Sequence, residues 1–72
     1  MNVKTANSIY QILAFGKTIQ IKKISGEVSG ELIRVGDSFI GDDMQLIIGR
    51  HLTLRYRGKE VFCTSQVIEA EG

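Results

Sequence analysis

Residues 52–67, LTLRYRGKEVFCTSQV, constrain the fold of this chain more than any other stretch. Leu52, Leu54 and Tyr56 alternate with Thr53, Arg55 and Arg57 until Gly58-Lys59 interrupts the pattern. Strict alternation marks a strand buried on one face, because successive side chains leave opposite sides of the pleat. A glycine opening a two-residue loop suits a type II′ turn, whose first position needs a positive φ. Folding the chain there pairs Arg57 with Glu60, Tyr56 with Val61, Arg55 with Phe62 and Leu54 with Cys63. The expected inner face is Leu52, Leu54, Tyr56, Val61 and Cys63. Thr53, Arg55, Arg57, Glu60, Phe62, Thr64 and Gln66 are expected to face out.

The N-terminal segment has a different period. Ala6, Ile9, Tyr10 and Leu13 fall at i, i+3, i+4 and i+7, which predicts a helix over residues 1–16. Thr5 or Asn2 can cap its start and Gly16 can close its end in a left-handed conformation. Ile12 and Phe15 widen the apolar stripe, so the helix is expected to lie on a sheet. At about three turns it needs that docking to be stable.

Short strands with glycine turns follow. In Lys17 to Ile24, Ile19 and Ile21 point inward, and Ser25-Gly26-Glu27 makes a turn. Val28, Gly30 and Leu32 then mark one face while Ile33 and Val35 mark the other, which implies a bulge or a bend at Gly30. Turns at Gly36-Asp37 and at Gly41-Asp42-Asp43 bracket a strand at Ser38-Phe39-Ile40. Residues 44–48 alternate as a strand does, although Asp42 could cap a short helix there; the shortness of the run favours the strand. Residues 69–72 read as a frayed tail. The predicted architecture is mainly β with one N-terminal helix: a single domain, 1–72, whose residues 17–68 form a small, strongly bent antiparallel sheet of about five strands or a partly open barrel.

Bulk properties narrow the function classes. A chain of 72 residues buries only roughly 60% of its unfolded surface, so its core is marginal alone. One cysteine and one histidine cannot supply a disulfide or a zinc site, which leaves self-association as the expected stabilising device. The same cysteine usage fits a reducing, cytoplasmic home. No apolar run approaches a membrane span, and the N-terminus does not read as a secretory leader. The net charge of +1 favours neither a nucleic-acid binder nor an acidic mimic. Basic residues cluster nonetheless, at Lys17, Lys22 and Lys23 and again at Arg50, Arg55, Arg57 and Lys59.

This order of elements resembles the Sm-like (Hfq/LSm) family. The resemblance rests on Gly16-Lys17 entering the first strand and on Gly26, Val28, Gly30 and Leu32 along a bent second strand. It continues with Asp37 and Phe39 at the next turn, and with Arg57-Gly58 after Leu52, Leu54 and Tyr56. It spans residues 9–68 and implies an N-terminal helix, a bent five-stranded SH3- or Sm-type barrel and a ring that binds RNA. The Asn common shortly after the family's Asp is missing, as is the Tyr-Lys-His signature of the Hfq branch. The family's RNA-binding residues are therefore not carried over.

The strongest candidate binding surface is the outer face of the hairpin: Arg55, Arg57, Lys59 and Phe62, extended by Arg50 and His51. An aromatic among guanidinium groups suits single-stranded nucleic acid, since bases stack on the ring and phosphates pair with the cations. The competing reading makes Arg57–Glu60 a cross-strand ion pair and packs Phe62 under the helix. Asp37, Asp42 and Asp43 fit turns and caps better than a metal site, whose oxygens must converge. His51 has no orienting partner in sequence, and Cys63 falls on the core face. No phosphate loop, GxSxG or HExxH occurs, so neither enzyme activity nor a cofactor is expected. The leading expectation is a small binding module acting through protein contacts, of the phage- or mobile-element type that regulates or inhibits a larger assembly. The alternative is an RNA- or single-strand-binding, Sm-like ring.

Overall fold

The computed structural model describes residues 1–26 and 33–72, and none of these is helical. Seven strands follow in order: β1 (Asn2–Thr5), β2 (Ser8–Phe15), β3 (Thr18–Gly26), β4 (Ser38–Gly41), β5 (Asp43–Gln45), β6 (His51–Tyr56) and β7 (Lys59–Glu71). All the described pairings are antiparallel, in the order β4-β3-β2-β1-β7-β6-β5, and the sheet curls into a half-barrel. The expected mainly-β class and bent sheet are present.

The predicted N-terminal helix is replaced by the β1–β2 hairpin. Val3 and Thr5 on β1, with Ser8, Tyr10 and Ile12 on β2, are buried at every second position, while Lys4 and Leu13 are exposed. Of the four residues that looked like one helical face, Ala6 lies in the turn between β1 and β2, Tyr10 faces inward, and Ile9 and Leu13 lie on the opposite face. β-Branched Val3, Thr5, Ile9 and Ile12 suit strands, and pairing partners on β3 and β7 decide the matter. Thr5 does cap a chain reversal, but a β one: its hydroxyl accepts the Ser8 N–H and donates to the Ser8 carbonyl, both at 3.2 Å.

The β6–β7 hairpin departs from the expected register, by two residues at the turn and by one beyond a bulge between Leu54 and Arg55. Tyr56 pairs with Lys59, Arg55 with Glu60, Leu54 with Phe62 and Thr53 with Cys63. The turn residues are Arg57 and Gly58, at φ 53° and 79°. Two positive φ values define a type I′ turn, whose twist matches that of the flanking strands, rather than the expected II′. Moving the turn alone would leave Leu54 opposite an odd-numbered residue; the register shift between Leu54 and Arg55 sets Phe62 opposite it and turns β7 from Phe62 onward to the other face. Phe62 and Thr64 are therefore buried, and Cys63 is exposed instead of lying in the core. Burying Phe62 removes more apolar area from water than burying Val61 or Cys63 would.

β7 joins the two halves of the sheet. Its residues 59–66 pair with β6 and residues 67–71 with β1, with register shifts in both ladders. Such irregularities bend a strand. The predicted frayed tail is consequently structured: Asn2 pairs with Glu71 and Lys4 with Glu69. β5 is shorter than the strand expected at 44–48, because Ile47 and Ile48 lie exposed in the connection to β6.

The curl closes at Gly41. A Cβ there would stand 2.7 Å from the Leu54 side chain and collide with the Arg55 carbonyl, so only glycine lets β4 approach β6 this closely. The Asp42 N–H then donates to the Arg55 carbonyl at 2.9 Å, carrying the chain across to β5.

Inside the curl lie Val3, Tyr10, Ile12, Ile21, Leu52, Leu54, Phe62 and Val67. The Phe62 ring stacks on Phe39 at 4.5 Å and meets Tyr10 edge-on at 5.4 Å. Lys23, grouped by sequence with the surface cations, is fully buried, with Nζ donating to the Ile33 carbonyl at 3.2 Å. Its backbone also binds Gly36 and Asp37, so residues 33–37 are held against β3. The bend expected at Gly30, like the rest of residues 27–32, lies outside the described residues.

Candidate functional site

The hairpin surface expected from sequence is divided by the fold. Phe62 is buried and takes no part in an outer face with the arginines. Arg50 and His51 stand at the start of β6 and Arg57 beyond its end, roughly 20 Å apart along an extended strand. His51 Nδ1 lies 2.6 Å from the Thr64 carbonyl. A carbonyl only accepts, so Nδ1 carries the proton. The same residue's hydroxyl accepts the Leu52 N–H at 3.1 Å and donates to the Ser65 carbonyl at 2.6 Å. His51 and Thr64 thus stabilise one end of the β6–β7 ladder.

Arg55, Arg57 and Lys59 remain close to one another. Arg55 faces Glu60 across the ladder and pairs with Asp43 on β5 at 3.8 Å, the one ion pair among the described residues. Arg57 has a different anchor. Its backbone N–H donates to both oxygens of the Asp42 carboxylate, at 3.1 and 3.3 Å, while its guanidinium lies 5.3 Å from the centroid of the Tyr56 ring. A non-glycine residue in the left-handed region costs about 1–2 kcal/mol, and the bond to Asp42 offsets part of that. The tip is therefore a braced turn that holds Tyr56, Arg57 and Lys59 outward.

Of the three aspartates, Asp37 acts within its own turn, as its sequence context implied, whereas Asp42 and Asp43 reach residues distant in sequence. Asp37 accepts the Arg34 N–H at 3.0 Å and closes a turn. Asp42 braces the hairpin and Asp43 holds Arg55.

Two surfaces escaped the sequence reading. Tyr56 was assigned inward, yet it is 45% exposed because the turn carries it past the end of the core. The second surface is apolar. Across β2, β3 and β4, Leu13 pairs with Gln20 and Gln20 with Ile40. This row lies on the outer face, with Ile40 58% exposed and Phe15, two residues beyond Leu13, 60% exposed. Only the pairing of strands distant in sequence brings these residues together. A shallow groove of about 240 Å³, lined by Asn2, Lys4, Ile9, Glu69 and Glu71, crosses the outer face of β2, β1 and β7.

Comparison with protein-family models, with curated proteins and with solved structures finds no match for this chain. Among the described residues no helix is long and apolar enough to cross a membrane.

Proposed function

We propose that this chain is a small, non-enzymatic binding module that acts through protein–protein contacts and self-associates. The observation that carries this reading is the outer apolar row of Leu13 and Ile40 around Gln20, with Phe15 beside it. Large apolar side chains grouped on one exposed face of a small domain suit an interaction site. A short sheet with a marginal core also gains stability from a partner. The half-barrel curl is compatible with an SH3- or Sm-type module, and a regulator or inhibitor of a larger assembly would use such a face. Sedimentation equilibrium at micromolar concentration tests the proposal: a mass above one chain that falls to one chain in Ile40→Lys is expected, and a wild-type mass of one chain rejects self-association.

A second reading, nucleic-acid binding, is favoured by the cation–π pair of Arg57 and Tyr56 at the hairpin tip. It predicts micromolar binding of single-stranded oligonucleotides that weakens steeply with salt. No binding at low salt rejects it.

A further inference from the structure

We infer that Tyr56, rather than Phe62, is the ring on which an unpaired base of a single-stranded nucleic acid stacks, with Arg57 and Lys59 taking the adjacent phosphates. This rests on the nucleic-acid reading of the hairpin and deepens it. Phe62 is buried against Phe39 and Tyr10 and has no face to offer. Tyr56 remains 45% exposed even with the Arg57 guanidinium over it. A ring that already attracts a cation to its face has the electron-rich surface that a base also uses.

The surroundings favour an anionic, unpaired ligand. Asp42 and Asp43 are engaged with the Arg57 N–H and the Arg55 guanidinium, and Glu60, next to Lys59 in the chain, has its register partner in Arg55. Arg57 and Lys59 form no ion pair among the described residues and are left for phosphates. The braced turn fixes the backbone from which the ring and the cations project, so less ordering is needed on binding. Bases in a duplex have both faces covered by their neighbours, whereas a single strand presents a face directly.

Fluorescence anisotropy with labelled oligo-dT and oligo-U, a duplex of the same length and polyglutamate as a non-base polyanion tests this at low and physiological salt. Tyr56→Phe should bind single strands within about twofold of wild type and Tyr56→Leu about tenfold more weakly, since only the first keeps a stacking face. Arg57→Asn keeps a residue tolerant of the left-handed turn and should, like Lys59→Gln, reduce the salt slope by about one. Circular dichroism matching wild type establishes that each variant is folded. If wild type binds and Tyr56→Leu binds equally well, the ring assignment falls while the nucleic-acid reading stands. Equal affinity for duplex or for polyglutamate overturns base stacking in the same way. Absence of any binding by wild type overturns both.

Discussion

Phe39 and Phe62 stack with centroids 4.5 Å apart and planes 21° from parallel, although their strands, β4 and β7, are not neighbours in the sheet. The contact therefore crosses the interior of the curl instead of running along a ladder. Together with Tyr10 it ties three strands through one ring. Phe62→Ala should cost about 3–5 kcal/mol, comparable to the whole stability of a small domain. Urea denaturation is expected to find this variant largely unfolded, and Val61→Ala, on the outer side, close to wild type.

Gly41 marks the point where β4 reaches β6. Adding one methyl forces the Leu54 side chain and the Arg55 carbonyl to move. Gly41→Ala should destabilise by about 1–3 kcal/mol, the usual cost of overpacking. The opposite sign, a gain of up to about 1 kcal/mol from reduced unfolded-state entropy, is expected only where a Cβ has room. Thermal melts of the two proteins distinguish these outcomes.

The hairpin register can be read chemically. With Leu54 opposite Phe62, Cys63 is exposed. A thiol reagent should modify the native protein at a rate close to that of the denatured chain. Strong protection of Cys63 would instead restore the Leu54–Cys63 register. Phe62→Cys in a Cys63→Ser background should be protected wherever the protein remains folded.

The end of β7 should matter more than a frayed tail does. Deleting residues 69–72 removes three of the four pairs that join β1 to β7, including the β7 partner of fully buried Val3. A loss of several kcal/mol in denaturant titration is expected, against within about 0.5 kcal/mol for an unstructured surface segment.

Asp42 is a turn brace more than a surface charge. Asp42→Ala leaves the Arg57 N–H without its acceptor and the left-handed turn without its brace. A cost of about 1 kcal/mol is expected for one hydrogen bond. Hydrogen exchange at the Arg57 amide should rise, with β1 and β2 unchanged.

How much was legible follows from the range of each signal. The β6–β7 hairpin was visible because alternation and a glycine turn are local properties of a few consecutive residues. Its register was not, since Arg57-Gly58 and Gly58-Lys59 both suit a two-residue loop, and the bulge between Leu54 and Arg55 that turns Phe62 inward has no signal in the alternation. The first segment misled for a related reason. Apolar residues at Ile9, Tyr10, Ile12 and Leu13 satisfy a helical stripe and a two-sided strand alike, and a 3.6-residue period cannot be separated from a two-residue one over so short a run. The site followed the register: once Phe62 turned inward, the aromatic that remained outside was Tyr56, and Arg50 and His51 were left at the far end of β6.

By itself, the sequence determined the β-rich class, the turns at Gly36, Gly41 and Gly58, and the turn role of Asp37, because turn chemistry and alternation act between near neighbours. Tertiary structure decided that residues 1–15 pair as strands, that Phe62 lies inside and Tyr56 outside, and that Leu13 and Ile40 share a face. Those outcomes depend on which face buries the most apolar area against strands tens of residues away, and that competition has no counterpart in any local window.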